Sequence, residues 1–343
     1  MAGDASSWVM THPSHFEPGV VVQWNQRSDF IHCLMGGAPR VQLASEDKQV
    51  YLRQVGLRTK VQVGQAGANQ VPSCSIITGL ASAPTYLQQA RATYDHHETA
   101  LLAAWDISIV EANRLGMQQG HYQSLRDKAL FGVLPQNGEG IVNGTGITTT
   151  ALPADTYGND RISTYDNGEM ALFVLSIFQQ IKTATYQMGQ PARFVVLGPQ
   201  RDIAQWEIQD VVQLTSYQRP GAGSDTIVGM VQDVMGKTGN EVQFGYDDTL
   251  IGQGPGGTDL ILFIMPELKK PQGNLAGGPI NTNRFGDLMP AFNGCVTQYT
   301  DVVAPIEIAT PVPGGGTDVF TEMRATAGWD VRPEAVLVLY AAN

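Results

Sequence analysis

Asp95-His96-His97-Glu98 is the densest set of metal-ligand side chains in this chain, so it is the first place to look for chemistry. Adjacent helical residues point about 100° apart, which spoils chelation of one ion by His96 and His97. A solvated or interface segment is the better reading. The run Gly252-Gln253-Gly254-Pro255-Gly256-Gly257 has the glycine content of a phosphate loop. It precedes a strand pattern and has no following Lys-Ser/Thr, whereas a phosphate cradle needs a helix N-terminus behind the loop. We read it as a mobile surface loop. The chain has no G-x-S-x-G elbow, no H-E-x-x-H and no EF-hand loop. His12, His15, His32 and His121 stand singly, and nothing around the sequon Asn143-Gly144-Thr145 points to secretion. The expectation is a protein with no catalytic residue, no metal site and no cofactor.

Cys33, Cys74 and Cys295 are odd in number and lack CxxC spacing, which argues against a disulfide framework or a zinc site. A net charge of −11 and the absence of a Lys/Arg stripe argue against a protein that grips nucleic acid by neutralising phosphates. An acidic container for DNA is compatible with that charge. Only 15% of the residues are charged, so partners rather than water are expected to cover much of the surface. The N-terminus has no basic stretch followed by an apolar one, and no run of 18 apolar residues exists. We expect a soluble protein made in a cytoplasm, with no membrane partner.

The elements come next. Residues 1–45 mix Pro13, Pro18 and Pro39 with Trp8, Phe16, Trp24 and Phe30, and predict an extended arm whose aromatics bury against something else, such as a neighbouring copy. Val50, Leu52, Val55, Leu57, Val61 and Val63 alternate with Arg53, Arg58 and Lys60 as in a strand. A turn at 64–69 and a return from Val71 to Ile77 complete a long hairpin, marginal in water unless a partner supports it. Pro84 to Leu102 fits strand and helix equally. A long helix runs from an N-cap near Asp106 to Gly132, with Ile107, Val110, Leu125 and Ala129 on one face. Arg114, Gln118 and His121 interrupt that face, which implies a polar middle meeting loops or another subunit.

Met170, Phe173, Val174, Ile177, Ile181, Ala184 and Met188 form a helical stripe ended by Gly189 and Pro191. Buried strands are predicted at Arg193–Leu197, Asp259–Met265 and Ala335–Tyr340, and a short helix at Val228–Met235. The irregular alternation fits an α+β fold better than a doubly wound α/β sheet.

This order of elements resembles the major capsid proteins of tailed bacteriophages with the HK97-like fold. Three stretches carry the likeness. The long helix runs into Phe131-Gly132-Val133-Leu134-Pro135-Gln136-Asn137, where the family ends its spine helix with a Gly-Leu-Leu-Asn type of turn. The helix Glu169–Gln187 leads into Phe194-Val195-Val196-Leu197-Gly198-Pro199, then Asp202 and Trp206. Gly328-Trp329-Asp330-Val331-Arg332-Pro333 precedes Ala335-Val336-Leu337-Val338, like the family's last strand with its Arg-Pro upstream. The likeness spans roughly residues 46–343. This chain has Leu134-Pro135-Gln136-Asn137 where the family usually has Leu-Leu-Asn.

The resemblance implies an N-terminal arm (1–45), an E-loop hairpin (46–83), a peripheral domain with the spine helix (84–159), an axial domain (160–305) and a C-terminal return to the peripheral domain (306–343). It further implies self-assembly into pentamers and hexamers of an icosahedral shell around double-stranded DNA, with scaffold, portal and decoration proteins as further partners. Location in a virion capsid, after assembly in the host cytoplasm, would follow. Arg53, Arg58 and Lys60 are the inter-subunit contact candidates, through pairing with a neighbour's acidic surface; alternatively they keep an exposed hairpin soluble. Some members of the fold form a Lys–Asn crosslink, for which Lys60 is suitably placed, although no acceptor Asn is identified. An encapsulin-type nanocompartment shell is the nearest alternative, and an α+β enzyme a distant one.

Overall fold

In chain order the elements are β1 (Arg40–Val41), β2 (Gln49–Arg58), β3 (Ser75–Tyr94), α1 (His96–Ala103) and α2 (Ile109–Phe131). Then come β4 (Thr148–Ala151), α3 (Asn167–Ala184), β5 (Arg193–Gly198) and α4 (Gln200–Ile208). β6 (Asp210–Val211), β7 (Asp225–Thr226), α5 (Ile227–Lys237), β8 (Glu241–Tyr246) and β9 (Asp259–Ile264) follow. The rest is β10 (Val296–Thr297), β11 (Tyr299–Thr300), β12 (Ile306–Val312), β13 (Gly316–Thr326), β14 (Trp329–Asp330) and β15 (Val336–Ala341). The computed structural model describes residues 28–35, 40–41, 43, 46–58, 75–103, 108–165, 167–185, 187, 190–208, 210–211, 225–268, 293–300, 305–313 and 315–342.

A five-stranded mixed sheet, ordered β4-β15-β9-β5-β8, carries the main core. Every residue of β9 is buried, as is all of β5 after Arg193. Cover on both faces explains why these strands read as unbroken apolar runs. α3 lays Met170, Val174, Ile177 and Ile181 on this core, and its Phe178 ring lies 4.7 Å from Phe194 of β5. Each such buried side chain contributes roughly 1.5–3 kcal/mol. α3 ends at Ala184, short of the expected Met188 (outside the described residues), where the Thr185 hydroxyl turns back onto the Ile181 carbonyl.

Phe30 corrects the expectation of an arm packed on a neighbour. It is 1% exposed, inside the chain's own core, with the Tyr122 ring of α2 edge-on to it at 5.4 Å. The segment around it is stitched to β8: Asp29 donates its amide to the Tyr246 carbonyl, and its carboxylate accepts the Tyr246 amide. Contacts spanning more than 200 residues are invisible to local periodicity. Trp8, Phe16 and Trp24 lie outside the described residues.

The second sheet has six strands, ordered β1-β11-β13-β3-β2, with β12 also on β13. β3 unites it. Residues 75–84 of β3 pair with β2, and residues 85–94 pair with β13. The stretch left open between strand and helix is therefore both, since β3 runs to Tyr94 and α1 starts at His96. The C-terminal region divides between the sheets, β12 and β13 joining β3 while β15 pairs with β4 and β9.

α2 packs on β3 and β13, over the buried Val319, Thr321, Met323 and Ala325. Its N-cap is Ser108, whose hydroxyl accepts the Glu111 amide; Asp106 lies outside the described residues. Two of the three polar residues in its middle, His121 and Arg114, meet the chain's own strands, while Gln118 is exposed. His121 is 4% exposed and its Nε2 lies 2.9 Å from the Thr321 hydroxyl. Arg114 reaches Glu307 of β12 at 3.0 Å.

The Gly/Asn-rich stretch after α2 satisfies the carbonyls that a helix end leaves bare. Gly132, at φ 75°, donates to Lys128 O, while Ile141 and Val142 donate to Ala129 O and Leu130 O. The side-chain amide of Asn143 takes Phe131 O at 3.0 Å. Gly328, just before β14, adds a second donor to Lys128 O. The spine helix thus ends in a closed knot made from its own loop and the C-terminal region.

Candidate assembly interface

The half of β3 paired with β2 projects from the sheet as a two-stranded flap. At roughly 3.3 Å per residue, its ten-residue strands reach about 33 Å. An isolated hairpin of this kind is marginal in water. Pro84, which has no amide to donate, marks the point where β3 changes partners.

Several polar groups fix that joint. Thr85 donates its amide to Lys48 O and its hydroxyl to Asp47 O. Arg324 of β13 reaches Asp47 O and the Thr85 hydroxyl through Nη1, at 3.5 and 3.3 Å. One position on, the Tyr86 hydroxyl donates to Glu139 at 2.6 Å, and Glu139 accepts the Leu134 amide with its other oxygen. Burial and the Glu139 carboxylate together push the Tyr86 phenol up to about 12. The flap root is thereby tied to the knot after α2.

Of the three sequence candidates, Arg53 is exposed on β2, directly across from Leu80 of β3. Residues opposite each other, and two apart along a strand, share a face. Tyr51, Arg53 and Leu80 therefore form one patch, with Tyr51 56% and Leu80 64% exposed. Tyr and Arg are residue types enriched at interface centres, and Leu80 adds exposed apolar area beside them. Tyr51 and Leu80 escaped the sequence reading because their positions look like ordinary strand alternation; only the register brings them beside Arg53. Arg58 is the last residue of β2, paired with Ser75, and Lys60 lies outside the described residues.

The Asp95–Glu98 cluster is a helix start. Asp95 accepts the Glu98 amide at 2.8 Å and Glu98 reaches back to the Asp95 amide at 3.3 Å, the reciprocal arrangement of a capping box. Among the described residues no group of three or more His, Cys, Asp or Glu is placed to hold a metal ion. Cys33 and Cys295 are free, buried thiols, the latter pushed up to about 12 by burial; Cys74 lies outside the described residues. The Gly252–Gly257 loop contains a short 3-10 turn and is tied to β9 by the Gly252 amide on Asp259.

A sheet-borne flap, a long helix locked at its end and a separate mixed-sheet core define the α+β fold of this chain. No protein-family model matches the sequence, and no curated protein matches it. Solved structures do. The capsid of Myoviridae phage XM1 is similar over 96% of this chain and 96% of that one, with a TM-score of 0.69 at 8% identity. The capsid of cyanophage P-SCSP1u matches over 96% of this chain and 93% of that one, with a TM-score of 0.58 at 13% identity. The capsid of a native GTA particle matches over 100% and 99%, with a TM-score of 0.54 at 10% identity. The chain has the HK97-like fold of phage capsids, as the order of its motifs indicated.

Proposed function

We propose that this chain is a structural major capsid protein of a tailed phage, acting by self-assembly and not by catalysis. Pentamers and hexamers of it close into an icosahedral shell that encloses double-stranded DNA, within a virion assembled in the host cytoplasm. The observation that carries this reading is the end-to-end likeness to the phage XM1 capsid, which leaves almost no part of either chain unmatched. The flap supports it, being a hairpin too extended to be stable alone.

In this reading residues 46–83 are the E-loop, and the Tyr51-Arg53-Leu80 patch rests on the next subunit. Arg58 and Lys60 supply further positive charge toward a neighbour's acidic surface. Residues 84–159 belong to a peripheral domain and 160–305 to an axial domain directed at five-fold and six-fold axes. Modest contacts suffice, because each subunit makes many and avidity multiplies them. The net charge of −11 suits a wall that encloses DNA without gripping it. Scaffold, portal and decoration proteins are the remaining partners.

Electron microscopy of the purified protein tests the assembly: closed shells are expected, and small soluble oligomers at all concentrations and salts refute it. Particles recovered from infected cells should hold nuclease-protected DNA of genome length. Enclosed protein in place of DNA points to a nanocompartment.

A further inference from the structure

β13 lies between β12 and β3, and α2 covers one face of these three strands. Glu307, Thr321 and Ala90 pair in a row across them and mark the covered face, since Arg114 and His121 of α2 reach Glu307 and Thr321. Neighbours along each strand point the other way. Ile306 and Ile308 of β12, Phe320 and Glu322 of β13 and Leu87 of β3 therefore share the face turned from α2. Ile306, Ile308 and Leu87 are 42%, 46% and 46% exposed. An antiparallel sheet that shows one face to water normally carries polar residues there, so this face is unusually apolar. Glu322 sits at its middle, across from Ile306 on one side and Gln89 on the other. It has no ion pair or hydrogen bond among the described residues. Nearby charges are engaged: Arg91 pairs with Asp318 at 2.7 Å, and Arg324 is bound at the flap root.

The flap patch is its counterpart in charge. Arg53 stands between Tyr51 and Leu80 and is likewise unpaired among the described residues. The two patches also lie on opposite sides of one sheet. Leu80 alternates in step with Tyr86, Gln88 and Ala90 along β3, which puts it on the side that α2 covers. The pairing of β3 runs from β2 to β13 without a skipped residue that would exchange the sides. Copies set in a ring around an axis crossing the sheet all keep the same side outward. An overlap between neighbours must then join one side of a copy to the opposite side of the next, in a heterologous contact.

We propose that the open face of β12, β13 and β3 receives the flap of a second copy of this chain, with Arg53 of the flap on Glu322 and Tyr51 and Leu80 against the surrounding apolar side chains. This acceptor rests on the shell reading above. The contact runs head to tail, each copy giving one flap and receiving one. Two ten-residue strands cover roughly 300 Å², well below the roughly 800 Å² per partner of a stable pair. One such contact holds no dimer. A closed ring retains it, because every copy makes it twice.

Charge exchange in the full-length chain tests the contact. Arg53→Glu and Glu322→Arg should each raise the protein concentration needed for half-maximal shell formation about fivefold at low salt, and the double exchange should restore it to within about twofold of wild type. Two folded single variants whose combination gives no rescue overturn the acceptor. Should Glu322→Arg fail to fold, Leu80→Cys combined with Ile306→Cys serves instead, treated in assembled shells with a short bismaleimide. Cys33 and Cys295 are buried, and the two single variants control for Cys74. Linked chains longer than dimers are expected on a denaturing gel, as head-to-tail contact requires. Normal shells whose chains stay single, or stop at dimers with excess linker, overturn the proposal and leave the shell reading standing, with another protein on this face. A wild-type chain that forms no shells overturns both.

Discussion

The Gly328 amide donates to the Lys128 carbonyl over 2.9 Å, so two chain segments 200 residues apart meet within the last turn of the spine helix. A Cβ on Gly328 would overlap the Ala129 carbonyl oxygen and carbon, which are backbone and cannot rotate away. Gly328→Ala should therefore cost about 1–3 kcal/mol by forcing a backbone shift. Urea unfolding measures it, and a midpoint equal to wild type contradicts the close approach.

The flap patch should matter to assembly and not to folding. Tyr51→Ala combined with Leu80→Ala removes two exposed side chains, so the melting temperature of the isolated chain should stay within about 1 °C of wild type. Sedimentation should show subunits accumulating at the expense of shells. Arg53→Glu should act in the same direction and depend on salt, because an exposed charge is screened. Normal shell yield from all of these variants contradicts a flap contact through this patch.

Lys128 sits half-buried on α2, and burial lowers its ammonium from 10.5 to about 8. The folded state favours the neutral amine, so its contribution is present above about pH 10.5 and is lost as pH falls to about 8. Lys128→Met, apolar and of similar length, should flatten the stability curve across that window. Chemical denaturation from pH 7.5 to 10.5 provides the comparison, and parallel curves for the two proteins count against the shift.

Thr321→Val keeps the shape of a buried side chain but strips the partner from His121 Nε2. About 1–3 kcal/mol of stability should disappear, the usual loss when a buried polar group is left unpaired. Burial also lowers the His121 pKa below 6.5, so its neutral form supports the fold. That support should weaken as pH drops below about 6.5. His121→Gln should melt with less acid sensitivity than wild type; identical pH profiles exclude His121 as the cause.

Much of the fold was legible because β5, β9, β15 and α3 are covered on the sides their apolar residues face, and burial imposes a pattern that sequence shows directly. β3 was not. Small residues at Gly79, Ala81 and Ala83 dilute its alternation, and Pro84 interrupts it where its partner changes from β2 to β13. Ser and Asp are similarly favoured as helix caps, so residue type alone does not decide between Ser108 and Asp106. His121 looked like an interruption of the apolar face because its partner, Thr321, lies 200 residues away. Of the interface, the charge at Arg53 was readable, while its apolar companion Leu80 emerged only from the register of the hairpin.

β3 carries one further implication. The same 20-residue strand forms the flap and the centre of the sheet beneath it, with no intervening loop. Whatever leans on the tip must twist the root, and the root is bolted through Tyr86 and Glu139 to the cap of the spine helix. Load applied far from the body is thereby carried to the end of that helix, as along a crowbar rather than a hinge.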